Sequence, residues 1–203
     1  MLSLLPDWGV AAQSYDRPVK HFVVLLLALA LCPSAIGAET FKIDPAHSTI
    51  AFKVRHLLGT AKGKFSKFSG TIVVDREHPE QSSVSVRIAA SSIDTGITKR
   101  DEHLREELFN VAKYPEITFK SRRVKQTSAN SGQIVGDLTM HGVTREIILN
   151  VQLVSNAETR WRVTTAPLRR SEFGLVFSKS AEMVSGIADE VAVDIEIEAE
   201  RER

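Results

Sequence analysis

The sequence predicts an all-β fold: an antiparallel barrel interrupted by one short helical insertion. Three observations predict it. Apolar and polar residues alternate in run after run beyond residue 40, the period of a half-buried strand. Turn-forming residues separate these runs at short intervals. One stretch, Asp94 to Lys120 (DTGITKRDEHLREELFNVAKYPEITFK), carries a helical pattern between two strand patterns.

The amino-terminal region reads as a leader. Phe22–Leu31, FVVLLLALAL, is too short an apolar run to span a bilayer and fits the core of a secretory signal. Small residues follow, and cleavage after Ala38 is expected, with Ile36 at −3. Residues 1–18 carry Asp7 and Asp16 and fit a leader poorly, so translation is expected to start at Val19, read from a GTG codon. A cellular peptide from residues 1–18 would contradict that start. Cys32, the single cysteine, lies within the leader, so no disulfide is expected in the mature chain. Leu31 and Pro33 on either side of it argue against lipidation. The expected division is a signal region over 1–38 and one barrel domain over 39–203, exported to the periplasm.

Composition excludes some functions. Twenty-six Lys and Arg face 25 Asp and Glu, a net charge of +1, without the basic excess of a nucleic-acid binder. Arg122-Arg123 and Arg169-Arg170 read as solvated faces.

Each strand has a readable face. Ser48–His56 carries Ile50, Phe52, Val54 and His56 on one side. Ser83–Ala90 carries Val84, Val86, Ile88 and Ala90. Glu116–Arg122 carries Ile117 and Phe119. Gly132–Met140 carries Ile134, Gly136, Leu138 and Met140, and Glu190–Glu200 carries Val191, Val193, Ile195 and Ile197. Ala61–Phe65, Phe68–Asp75, Arg145–Ser155 and Arg160–Pro167 complete about eight or nine strands, a number that suits closure. Thr98–Leu108 reads as the helix, with Thr98 as its cap and Asp101 in the first turn. Leu104, Leu108 and Ile97 are expected to pack inward and Phe109 to extend their stripe, before Pro115 opens the next strand.

The inward set is therefore Ile50, Phe52, Val54, His56, Phe65, Phe68, Ile72, Ile88, Phe109, Ile117, Phe119, Leu138 and Trp161. Two readings fit it: a lumen that holds a ligand, or a barrel filled by its own side chains. Gly63, Ala90 and Gly136 either leave space inside or mark bulges and corners. His47, His56, His103 and His141 lack metal-ligand spacing. His47 and His141 are read as partners of turn backbones and His56 as a polar group at the barrel mouth, with contact between His56 or Arg55 and a ligand's head as the alternative. Arg100, Asp101, Arg105 and Glu106 read as an ion-paired helix face, and Asp44 and Asp94 as turn caps. No Gly-x-Ser-x-Gly elbow or phosphate loop is present.

Short motifs then point to a family. They include IDPAHS at 43–48, GKF at 63–65, FSG at 68–70 and DTG at 94–96. Arg100-Asp101, His103-Leu104, FNV at 109–111, Tyr114-Pro115 and ITF at 117–119 follow, then GDLTMHGVT at 136–144 and RSEFGL at 170–175. In this order they resemble the YceI-like family, also called polyisoprenoid-binding and lipocalin-like. The resemblance implies an eight-stranded lipocalin-like barrel whose apolar tunnel holds a long isoprenoid, a polyprenyl phosphate or an isoprenoid quinone, in the periplasm. The isoprenoid would be a ligand; no cofactor, nucleic acid or stable membrane insertion is expected, and a homodimer stays open. Gly174–Ser185, with Phe177 and Met183, is read as a gate. Two other readings stay open: a lipid-modifying enzyme using the same pocket, and a stress-related protein-interaction module.

Overall fold

Backbone N–H and C=O groups that leave water must find partners, and the long last strand meets that demand by sharing one edge between two neighbours. The computed structural model describes residues 37–154, 159–177 and 186–202. Its strands are Glu39–Ile43 (β1), Thr49–His56 (β2), Gly59–Phe65 (β3), Phe68–Val74 (β4), Ser83–Ala89 (β5) and Ile93–Asp94 (β6). Then come Glu116–Ser128 (β7), Ser131–Met140 (β8), Val143–Leu153 (β9), Arg160–Thr165 (β10), Leu168–Arg169 (β11) and Glu190–Arg201 (β12). Strands β1, β4, β5, β7, β8, β9, β10 and β12 follow one another around the wall, and β1 pairs with β12 to close an eight-stranded antiparallel barrel. The β2–β3 hairpin and β6 branch from β12.

The shared edge explains the branch. Val191–Glu196 of β12 pair with β2, and Ala199–Arg201 pair with β1. Glu198 lies at the handover. Its carbonyl accepts from the Asp44 N–H at 2.8 Å and from Ser48 Oγ at 3.1 Å, and its N–H donates to Ser48 Oγ at 2.9 Å. The corner between β1 and β2 is braced by Asp44, which accepts from the Ala46 N–H at 2.8 Å and from His47 Nδ1 at 2.5 Å. That contact holds the Asp44 carboxyl below its ordinary value and the His47 imidazole above its own. His47 thus pairs with a carboxylate rather than with turn backbone.

Strand β1 escaped the sequence reading, because ETFKI is short and only Phe41 and Ile43 in it are apolar and buried. The longer strands lie where the sequence placed them, within a few residues at their ends, and β7 runs on to Ser128, while the two-residue strands β6 and β11 were not read as separate strands. The β8–β9 hairpin turns through His141 (φ 53°) and Gly142 (φ 75°), the paired left-handed residues of a tight hairpin. The His141 ring packs edge-on against Tyr114 at 4.5 Å. The turn expected at Asn156-Ala157-Glu158 lies outside the described residues.

The helical insertion differs from expectation in three ways. The α-helix covers only Thr98–His103 (α1) and continues as a wider π-type turn over Leu104–Leu108. The wider turn lets Leu108 and Phe109, both buried, sit on either side of the line set by Leu104. Thr98 does not cap: Ile97 holds that position without a side-chain bond and is 52% exposed. Asp101 is buried and accepts from the Thr95 N–H at 2.9 Å and from Thr95 Oγ1 at 2.5 Å. Arg100 and Asp101 pin the helix to the barrel side, through hydrogen bonds rather than ion pairs. Arg100 donates to Thr95 Oγ1 (2.8 Å) and the Thr95 carbonyl (2.9 Å), and Arg105 to the carbonyls of Ser91 (2.8 Å) and Ile93 (2.6 Å). Asp94 does cap its turn, accepting from the Gly96 N–H at 2.9 Å.

Replacing Ser48 with alanine leaves the Glu198 N–H without its acceptor at the closure point. We expect a loss of about 1–3 kcal/mol in urea unfolding; an unchanged midpoint would show that closure does not depend on this bond.

Candidate functional site

Alternation along a closed barrel sends every second side chain inward, and what those chains fill decides whether a lumen remains. Here one remains, a cavity of about 730 Å³. Its wall includes Ile50, Phe52, Val54 and His56 from β2, Phe65 from β3, Ile72 from β4 and Ile88 from β5. Ile117 and Phe119 from β7, Leu138 from β8, Trp161 from β10 and Phe109 beyond the helix complete the residues that alternation singled out.

Phe68 is the exception. Its face is inward, but Ile43 lies over Gly70, 2.7 Å from where a Cβ would stand, and supplies the wall there. Phe68 is buried against Ile43, Ile50 and Ile197, which themselves line the cavity. The bulge reading holds at Gly136, and both glycines also make room for an aromatic ring. A Cβ on Gly63 would collide with the Phe52 ring, and one on Gly136 would come 2.5 Å from the Phe119 ring and 2.6 Å from the Lys120 carbonyl. Each glycine seats an aromatic ring flat along the wall. A register shift in β7 between Ser121 and Arg123, opposite Gly136, accompanies the second.

Several wall residues were missed. Ile147, Leu149 and Val151 of β9 and Phe41 of β1 line the cavity. The period of two was present in β9, but its flanking charges hid the face. Thr95, Arg100 and Arg170 also reach the wall, with no signal in the sequence to say so. Arg169 is exposed as expected of a solvated pair, yet Arg170 is buried. Its guanidinium donates to the carbonyls of Leu175 (2.7 Å) and Ala188 (3.2 Å) and lies 5.0 Å from the Phe177 ring centre. His103 stacks on the same ring at 6.2 Å, so Phe177 joins the helix to this turn. Of the expected gate, Phe177 lines the cavity; residues 178–185, Met183 among them, lie outside the described residues.

Among the described residues, no two ionisable groups on the cavity wall are seen to share a hydrogen bond as an acid–base pair. His56 Nδ1 accepts from the Leu58 N–H at 3.4 Å, bracing its own turn. Beside the Arg170 turn, Asp189 accepts from the Ser171 N–H (2.9 Å) and Oγ (2.7 Å). Burial pushes Asp189 up, but those bonds, with Arg170 and Arg169 nearby, outweigh it and hold the carboxyl below its ordinary value. Among the described residues, no three His, Cys, Asp or Glu side chains gather as a metal site.

The model of the YceI-like domain matches residues 41–199. The chain belongs to the YceI-like family. Both ends of the match fall on the β1–β12 closure, so the YceI-like unit is the closed barrel itself. The chain is 38% identical over 138 residues to a UPF0312 protein of Photorhabdus laumondii, covering 66% of this chain and 71% of that one. It is 38% identical over 132 residues to protein YceI of Escherichia coli, covering 63% and 68%. Among solved structures, BcnA of Burkholderia cenocepacia shares the fold with a TM-score of 0.68 and 23% identity, over 76% of this chain and 98% of that one. A polyisoprenoid binding domain from Saccharophagus degradans shares it with a TM-score of 0.62 and 21% identity, over 80% and 98%.

Asp189 gives the rim of this YceI-like barrel a pH dependence of defined sign. A carboxyl depressed by folding adds stability above its unfolded value and loses it as pH falls through the folded one. Ser171→Ala should therefore move the Asp189 titration upward, read from its carboxyl carbon by NMR; an unmoved titration would contradict the assigned cause.

Proposed function

We propose that this protein is a periplasmic lipid-binding protein that holds the tail of a long isoprenoid, such as a polyprenyl phosphate or an isoprenoid quinone, inside its barrel. One observation carries the reading: a lumen of about 730 Å³ walled by aliphatic and aromatic side chains from strand to strand. That volume lies in the range of small-molecule sites. An isoprenoid tail offers no hydrogen bonds, so its binding is driven by leaving water, at about 25 cal/mol per Å² of apolar surface buried. A smooth apolar wall is what such a ligand needs, and seating rings over Gly63 and Gly136 widens the bore. The Saccharophagus domain of the same fold, described as polyisoprenoid binding, supports the choice of ligand class.

The mechanism is sequestration, tail inside and head toward the rim where His56, Arg100 and Arg170 reach the wall. We assign no catalytic residue and no cofactor. The apolar run at Phe22–Leu31 and the small residues before Glu39 support export.

Native mass spectrometry of the protein isolated from cells, followed by organic extraction, tests the reading. A stoichiometric adduct that releases a polyprenyl compound or quinone is expected, in the periplasmic fraction and on a chain beginning at Glu39. A bare mass that stays bare after incubation with such lipids would refute the lumen as a lipid site. An unprocessed chain in the cytosol would refute export.

A further inference from the structure

The tip of the β2–β3 hairpin carries the two most exposed large apolar side chains among the described residues. At its tip, Leu57 is 74% exposed and Leu58 91% exposed, two adjacent large apolar side chains in water. Neither lines the cavity, although His56 beside them does. The hairpin is rigid where it carries them. His56 Nδ1 accepts from the Leu58 N–H, the Arg55 carbonyl accepts from the Ala188 N–H at 2.8 Å, and Leu57 abuts Gly186. The tip is thus tied to the segment that contributes Ile187 to the cavity wall.

The charge of this hairpin is equally one-sided. Between Asp44 and Asp75 the sequence holds five Lys and Arg, namely Lys53, Arg55, Lys62, Lys64 and Lys67, and no acid. The remainder of the chain holds 21 Lys and Arg against 25 Asp and Glu. All five cations are exposed. Lys53 stands directly opposite Lys62 across the ladder, an arrangement of like charges that disfavours pairing. Asp194 of β12 relieves it at one member only, meeting Lys53 at 2.6 Å. A bland explanation covers part of this. Beyond Lys64 and Phe65, which pair with β6, no strand covers the free edge of β3 among the described residues, and lysines on an edge deter strand-to-strand aggregation. That accounts for Lys62 and Lys64. It does not account for Leu57 and Leu58, which would promote aggregation.

A bilayer with anionic headgroups satisfies both features at once. Apolar side chains at a tip enter the headgroup–acyl boundary while flanking cations meet anionic lipid. We propose that the β2–β3 hairpin docks the barrel on an anionic membrane surface, with Leu57 and Leu58 in the interface and Arg55, Lys62 and Lys64 against the headgroups, so that the His56 end of the cavity faces the lipid. The proposal rests on the lumen being a lipid site, and it supplies that site with a route: a tail passes from bilayer to barrel without crossing water.

The test uses the protein as cells process it, sedimented with vesicles of phosphatidylethanolamine and phosphatidylglycerol and, separately, of phosphatidylcholine alone. Binding to the anionic vesicles, weakened by salt, is expected. The double variant L57S/L58S should lose at least about tenfold in partitioning, and K62Q/K64Q about fivefold per charge removed. A local probe guards against misfolding and against binding by other segments: L58C in the processed chain, where residues 39–203 hold no other cysteine, labelled with an environment-sensitive dye, should brighten on the anionic vesicles. Both multiple variants should still take up a water-dispersed short prenyl phosphate by native mass spectrometry. Wild-type protein that ignores anionic vesicles, a dye that stays in water, or variants that partition like wild type would each overturn docking. In the last case the lysines serve only to guard the edge, or the leucines meet a protein partner. Vesicle binding with no uptake of any prenyl compound would instead retain docking and refute the lumen reading.

Discussion

Closure of the sheet is the constraint on which the rest depends. An open eight-stranded sheet would expose two rows of unpaired backbone groups, and β12 avoids this by giving its edge first to β2 and then to β1. The handover costs two backbone partners at Glu198, and Ser48 and the Asp44 N–H restore them. Once the ring is shut, the alternation of each strand has only two destinations, water or lumen. The outer face can then carry ladders of opposite charge such as Arg162–Glu196 and Arg122–Asp137, which contribute little each but keep the exterior wet.

The lumen follows from what the inward positions hold. Large aliphatic residues line it, yet the two glycines that face inward let Phe52 and Phe119 lie back against the backbone rather than point across the bore. Where β2 and β3 leave the ring, the helical insertion takes up the slack. Asp101 and Arg100 grip Thr95, Arg105 grips the carbonyls of Ser91 and Ile93, and Leu108 and Phe109 are pressed inward. The arginines at this end are occupied with carbonyl groups, so they act first as rivets of the rim. Any role toward a ligand's head is superimposed on that.

Much of this was legible in the chain, for a physical reason. Period-two patterning reports directly on which side of a closed wall a residue lies, so the β2, β7, β8 and β12 faces could be read one residue at a time. The reading failed where another residue intervened. Phe68 has the right phase, but Ile43 from an unforeseen strand occupies the wall above Gly70. Gly63 and Gly136 were read as open space or as bulges and corners; a register shift does lie opposite Gly136, but the rings of Phe52 and Phe119, seated over the two glycines from the neighbouring strands, are invisible to a pattern read along one strand. Arg170 was read as solvated beside Arg169 because a strand of two residues followed by a tight turn carries no period at all. The helix cap was misplaced because Asp101, from within the first turn, reaches back to the Thr95 N–H and takes up a backbone donor ahead of the helix, a bond between residues six apart that Thr98 at the start of the helix does not make.

The central claim is that the interior is a dry bore matched to an apolar tail. It is tested most directly by calorimetric titration with a series of prenyl phosphates of increasing length and a common head. If tail burial drives binding, affinity rises with each added isoprene unit and the heat-capacity change grows more negative in step, until both level off when the bore of about 730 Å³ is full. Affinity and heat capacity that do not change with tail length would mean that the head alone is recognised, and would contradict the account.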